Sequence, residues 1–181
     1  MNLIKEIEDI YIRNSLSFML FKYINKNFYN EIIQTIFKNN KLENLTDFNY
    51  SKCFSISINL SDTDALLGSE EFTEYLKTNL CLYKLEIQIS ILAPYTMRKY
   101  LKYEESGGQL LLTSNDNPFL KEHFHYEGLV LHFIKEIGYT LLCDTELTRK
   151  VSNITLELQD ETPSVYNCLF EDSSSFYPYT N

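Results

Sequence analysis

The chain has 181 residues, of which 44% are hydrophobic, 14% aromatic and 23% charged, a balance that supports a buried core and excludes collagen-like or extensively disordered material. Sixteen Lys and Arg face 25 Asp and Glu, and the net charge of −9 is unevenly spread: residues 1–52 carry +1 and residues 53–181 carry −10. A surface of that sign repels phosphate backbones and anionic lipids, so neither nucleic acid nor membrane is an expected partner; Arg98, Lys99 and Lys102, the nearest approach to a basic stripe, run at once into Glu104 and Glu105.

A single domain is expected from this length. Leu3, Ile7, Ile10, Leu16, Leu20 and Ile24 recur near helical spacing and predict a helix within 3–26, and Ile32, Ile33, Ile36 and Phe37 predict a second. The apolar run 16–21 follows Glu6, Glu8 and Asp9, which argues against a secretory leader, and no stretch of about eighteen uncharged apolar residues offers a membrane span. A cytoplasmic location is therefore expected. Polar residues fill 39–49. Then Phe54, Ile56, Ile58 and Leu60 alternate with Ser55, Ser57 and Asn59, the pattern of a half-buried strand.

Ser69 before Glu70 and Glu71 reads as the cap of a helix over 70–79. Leu85, Ile87, Ile89 and Ile91 alternate with Lys84, Glu86, Gln88 and Ser90 in a further strand, interrupted by Ala93 and Pro94. Residues 95–113 read as a hairpin turning at Gly107 and Gly108. Asn117 and Pro118 predict the start of a long helix near 118–137, stopped by Gly138, with Leu120, Phe124, Leu131 and Ile134 buried. Late strands are expected at 139–143, 154–158 and 165–170, a short helix near 146–151, and a loose tail from 173. The fold class expected is α+β: a mostly antiparallel sheet of about five to seven strands packed with the N-terminal helices and the long helix.

Tests for chemistry exclude more than they find. Cys53, Cys81, Cys143 and Cys168 form no CxxC unit and read as reduced core residues. His123, His125 and His132 share the predicted long helix, near Glu122 and Glu136, but no HExxH sequence or second ligand cluster accompanies them, so no metal and no cofactor is expected. No serine lies in a GxSxG context, and the five glycines form neither a Walker nor a GxGxxG loop. Asp62 and Asp64 lie two apart after a strand, where Asx turns and capping compete with a binding role. Together with Glu104, Glu105, Asp116, Glu171 and Asp172 they are candidates for a negative partner-binding patch, with Tyr103, Tyr166, Phe176 and Tyr177 as aromatic anchors; Tyr103 and Tyr166 also suit a core role.

The stretches Asp62-Thr63-Asp64-Ala65-Leu66-Leu67-Gly68-Ser69-Glu70-Glu71-Phe72 and Val165-Tyr166-Asn167-Cys168-Leu169-Phe170-Glu171-Asp172 belong to a chain that resembles, in type, the bacterial immunity proteins of polymorphic toxin systems. Those are small, acidic, cytosolic α+β proteins without catalytic signatures. The resemblance implies a non-catalytic inhibitor that binds one cognate toxin, a basic one where the toxin acts on nucleic acid. It carries over no residue roles. Two other readings stay open: an enzyme with a dispersed site around the 123–132 histidines, and a housekeeping scaffold. Oligomeric state is not legible.

Overall fold

The computed structural model describes residues 2–13, 27–49, 51–158 and 161–172. The chain runs through α1 (Leu3–Arg13), α2 (Asn30–Ile36), β1 (Leu42–Asn44), β2 (Cys53–Asn59), α3 (Glu70–Asn79), β3 (Cys81–Ser90), β4 (Tyr95–Ser106) and β5 (Gln109–Asn115). A 3₁₀ turn (Lys121–Phe124) leads into α4 (His125–Ile137), followed by β6 (Thr140–Leu141), α5 (Asp144–Leu147) and α6 (Val165–Leu169). The strands β1 to β5 form an antiparallel meander in sequence order, and β6 adds to β4 in parallel. The fold is α+β with a mostly antiparallel sheet, as expected. The expected continuation of the first helix past residue 13 and the loose tail from 173 lie outside the described residues. Among the described residues no helix is long and apolar enough to cross a membrane.

Alternation sorts the side chains of the sheet onto two faces. Phe54, Ile56 and Ile58 of β2 lie opposite Ile89, Ile87 and Leu85 of β3, and Leu85 in turn opposes Tyr100 of β4. Helices α2 and α4 close this face with Ile33, Tyr126, Val130, Phe133 and Ile134. The opposite face is covered from both ends. At one, α3 brings Phe72 and Leu76 onto Leu82, Leu101 and Tyr103; at the other, Ile7 of α1 and Cys168, Leu169 and Phe170 gather over Cys53 and Met97.

Local chemistry explains most boundaries. Ser69 Oγ accepts the Phe72 amide at 3.1 Å and starts α3. The α3 end is unusual, because Leu80 takes the left-handed conformation (φ +66°) that glycine normally supplies. Gly107 and Gly108, both at positive φ, make the two-residue turn between β4 and β5, and Gly138 (φ +69°) ends α4.

Several expectations fail for identifiable reasons. The long helix begins at His125, after a 3₁₀ turn from Lys121, rather than at Pro118, and Asn115 Oδ1 accepts the Asn117 amide in the turn that precedes them. Its buried stripe is Tyr126, Val130, Phe133 and Ile134; Phe124 and Leu131 are exposed because the stripe lies on a different azimuth from the one expected. Residues 165–170 are a helix, not a strand: Ser164 and Asn167 cap reciprocally, with the Asn167 amide on Ser164 Oγ at 3.2 Å and the Ser164 amide on Asn167 Oδ1 at 3.1 Å. The 154–158 segment keeps its alternation, burying Ile154 and Leu156, but pairs with no described strand. Strand β1 arises within the polar stretch expected to be a loop. Residues 53–59 are buried throughout rather than on one side. Cys53 and Cys168 are buried and Cys81 half-buried, whereas Cys143 is exposed; none is in a disulfide.

Candidate functional site

The second face of the sheet carries polar residues at its centre. Rows of partners place Ser55 against Gln88, Ser57 against Glu86 and Asn59 against Lys84, with Lys99 opposite Glu86 on the far side. All are buried: Gln88 is 0% exposed, Lys84 and Lys99 1%, Glu86 8%. Burying such groups costs several kcal/mol per charge unless each is paired, so their partners matter. Lys84 Nζ reaches Glu43 Oε1 of β1 at 2.7 Å. Lys99 Nζ lies 2.7 Å from Asp116 and 2.5 Å from Asp144, so one ammonium joins the end of β5 to the start of α5.

Gln88 is the pivot of the remaining group. Its Nε2 donates to Glu86 Oε1 and to Glu171 Oε1, each at 2.9 Å, which brings carboxylates from β3 and from the chain after α6 onto one amide. Ser55 Oγ donates to Glu86 at 3.4 Å. The segment that closes this side is tied down by backbone bonds: Lys52 N to Phe170 O, Ile91 N to Lys52 O, and a bridge between Ser51 and Glu171. Lys52 stacks its ammonium over the Tyr11 ring and donates to Asn167 O; burial lowers its pKa while the Asp172 charge opposes the shift. Burial likewise pushes the Cys168 thiol up to about 12 and the Cys53 thiol well above its ordinary value, so neither supplies a thiolate nucleophile at neutral pH.

Between the two covering clusters the face opens as a cavity of about 500 Å³. Ser55, Ser57 and Glu86 form its floor, Leu101, Tyr103 and Leu112 one wall, and Glu171, Asp172 and Asp47 the acidic side. Leu45, Leu67 and Leu158, all substantially exposed, stand at its rim. Among the described residues Asp172 Oδ1, at this cavity, is a buried acceptor with no hydrogen-bond partner, and so is Gln88 Oε1, which is not part of the lining. An acceptor left in that state costs about 1–3 kcal/mol, more when charged.

The seven carboxylates expected to form a patch do not converge. Asp62 and Asp64 are exposed in the loop after β2, where Asp64 lies 3.8 Å from Lys41 beside a separate polar hollow. Glu104 and Glu105 sit at the end of β4 next to the hairpin turn, at the same end of the sheet as that loop; Glu104 pairs with Lys102 at 2.7 Å. Asp116 is committed to Lys99. Glu171 and Asp172 belong to the cavity. Sequence reasoning missed Glu86, Gln88 and Asp47, because alternation marks the first two as solvent-facing; the usable signal was that pairing two alternating strands sets Gln88 and Glu86 against serines.

Tyr103 and Tyr166 are core residues, 6% and 2% exposed, and Phe176 and Tyr177 lie outside the described residues. Of the histidines, His123 is buried against Tyr83 and Tyr126, and burial holds its imidazole below the ordinary 6.5. His125 is exposed and its Nδ1 contacts Glu122 O at 2.7 Å; His132 is exposed in an open groove with Glu31 and Glu136. Among the described residues no three His, Cys, Asp or Glu side chains are placed to hold a metal ion. No protein-family model, curated protein or solved structure matches the chain.

Proposed function

We propose that this chain is a non-catalytic protein-binding inhibitor acting in the cytoplasm, an immunity-type protein that neutralises a basic toxin by direct contact. The observation that supports the reading is Leu80. It is 73% exposed and held at φ +66°, where a non-glycine residue costs about 1–2 kcal/mol. Leu80 ends α3, and a costly backbone that also presents an apolar side chain to solvent supports a recognition role beside that structural one.

The surroundings fit the same role. Leu80 precedes Cys81, which pairs with Glu104, which pairs in turn with Leu111, so the leucine stands at the end of the sheet that carries Glu104 and Glu105. There β5 forms the edge, with Leu110 54% and Leu111 38% exposed. An apolar edge strand accepts an added strand, and a flanking carboxylate set steers a basic partner toward it.

The test is calorimetric titration against the C-terminal domain of the polypeptide encoded by the upstream neighbouring gene, at low and high salt. Nanomolar binding that weakens with salt, and weakens again when Asp62, Asp64, Glu104 and Glu105 become Asn or Gln, is the expected result. Leu111→Lys should remove binding while the fold is retained. Absence of binding overturns the reading.

A further inference from the structure

We propose that the cavity on the polar face of the sheet binds an organic cation, a guanidinium or alkylammonium group on an apolar stem. The inference does not rest on the toxin-binding reading, whose residues Glu104 and Leu111 adjoin the cavity wall residues Tyr103 and Leu112.

Charge gives the class of ligand. The cavity is lined by four carboxylates, Asp47, Glu86, Glu171 and Asp172, and among the described residues by no Lys, Arg or His. Of the nearby lysines, Lys84 is held by Glu43 and Lys99 by Asp116 and Asp144, while Lys52 donates to Asn167 O, lies over the Tyr11 ring and feels the Asp172 charge without lining the cavity. Hydrogen bonding gives the polarity of the ligand. Asp172 Oδ1, at the cavity, is buried with no donor among the described residues. Set beside three further carboxylates, that acceptor is matched by a donor that also carries positive charge, which guanidinium and ammonium do. Shape gives the stem. The polar floor of Ser55, Ser57 and Glu86 lies below apolar walls and a leucine rim, the arrangement that receives a charged head first and packs an aliphatic chain behind it. A volume of about 500 Å³ falls within the range of small-ligand sites.

Two sources carry this chemistry, a free amine or guanidine and an arginine side chain of a polypeptide. Methyl NMR of the full chain, following Leu67, Leu101 and Leu112, separates them. Butylguanidinium and its neutral isostere butylurea are titrated in one arm; the blocked peptide acetyl-Gly-Arg-Gly-amide and its citrulline counterpart in the other. The expected result is saturable shifts at these leucines with butylguanidinium and none with butylurea. Glu171→Gln and, separately, the exposed-side Asp47→Asn should each weaken binding by about tenfold, the loss of one charge-assisted hydrogen bond. Binding of the arginine peptide as well assigns the site to a side chain, and binding of butylguanidinium alone assigns it to a small molecule. Equal shifts with butylurea, or no shift with either cation while both variants melt as the parent does, overturns the proposal.

Discussion

On one face of β2 and β3, Phe54, Ile56 and Ile58 meet Ile89, Ile87 and Leu85; on the other, the same two strands set Ser55 against Gln88, Ser57 against Glu86 and Asn59 against Lys84. Both faces are buried to a similar degree. The first is held by volume and the second by pairing, so they should answer differently to substitution. On the apolar face any loss of packing costs, and the cost scales with the cavity left. On the polar face what costs is a partner left behind, and removing both members of a pair costs little. The polar face also holds Gln88 Oε1, a buried acceptor without a donor among the described residues.

The largest effect expected is on the apolar face. Phe54, fully buried and in edge contact with Tyr29 and Phe48, should lose about 3–5 kcal/mol on Phe54→Ala, measured by urea denaturation. Next comes a broken pair on the polar face. Lys84→Met leaves Glu43 alone and should cost about 3 kcal/mol, while the double variant Lys84→Met, Glu43→Leu should fall within about 1 kcal/mol of the parent. Equal losses in the single and double variants would show that volume governs this face too.

A smaller effect marks the margin of the apolar face, where His123 is buried. Its surroundings are the Tyr83 and Tyr126 rings, Glu122, His125 and the Leu60 backbone, and burial dominates to lower its pKa below 6.5. The unfolded chain then takes up the proton more readily than the folded one, so stability falls as pH drops through 6.5. Melting temperature followed from pH 7.5 to about 5.5 should decline in the parent and decline less in His123→Phe. The smallest effect is a gain outside both faces. Leu80→Gly should add about 1 kcal/mol by relieving the left-handed leucine and, under the proposed function, should weaken binding of the proposed toxin partner. A gain in stability with unchanged binding would remove the support for Leu80 as a contact.

The alternation in 53–60 and 84–91 made both central strands legible, and so did the glycine pair for the hairpin and Ser69 for the α3 cap. The start of the long helix was misread because a proline after asparagine also suits a turn, which is what Asn115 builds there. Residues 165–170 are a short, mostly apolar run that suits a strand or a helix, and the reciprocal Ser164–Asn167 cap decides for a helix. Of the candidate site, Glu171 and Asp172 were named and Glu86 and Gln88 were not. Nothing local to β3 indicates that residues 51, 158 and 171 return to cover it.

What the amino-acid sequence by itself determined is therefore the class of the molecule: α+β, acidic, with a sheet of alternating strands and without a catalytic or nucleotide-binding signature. Those properties follow from composition and from periods of two and 3.6 residues, which are local. The tertiary structure decided which half of each alternation meets solvent. Alternation distinguishes two faces of a strand but not whether the polar one is wet. That depends on α3 and the 142–172 segment folding back from far along the chain, and only their return buries Glu86 and Gln88 and brings Glu171 and Asp172 to the acidic side of the cavity.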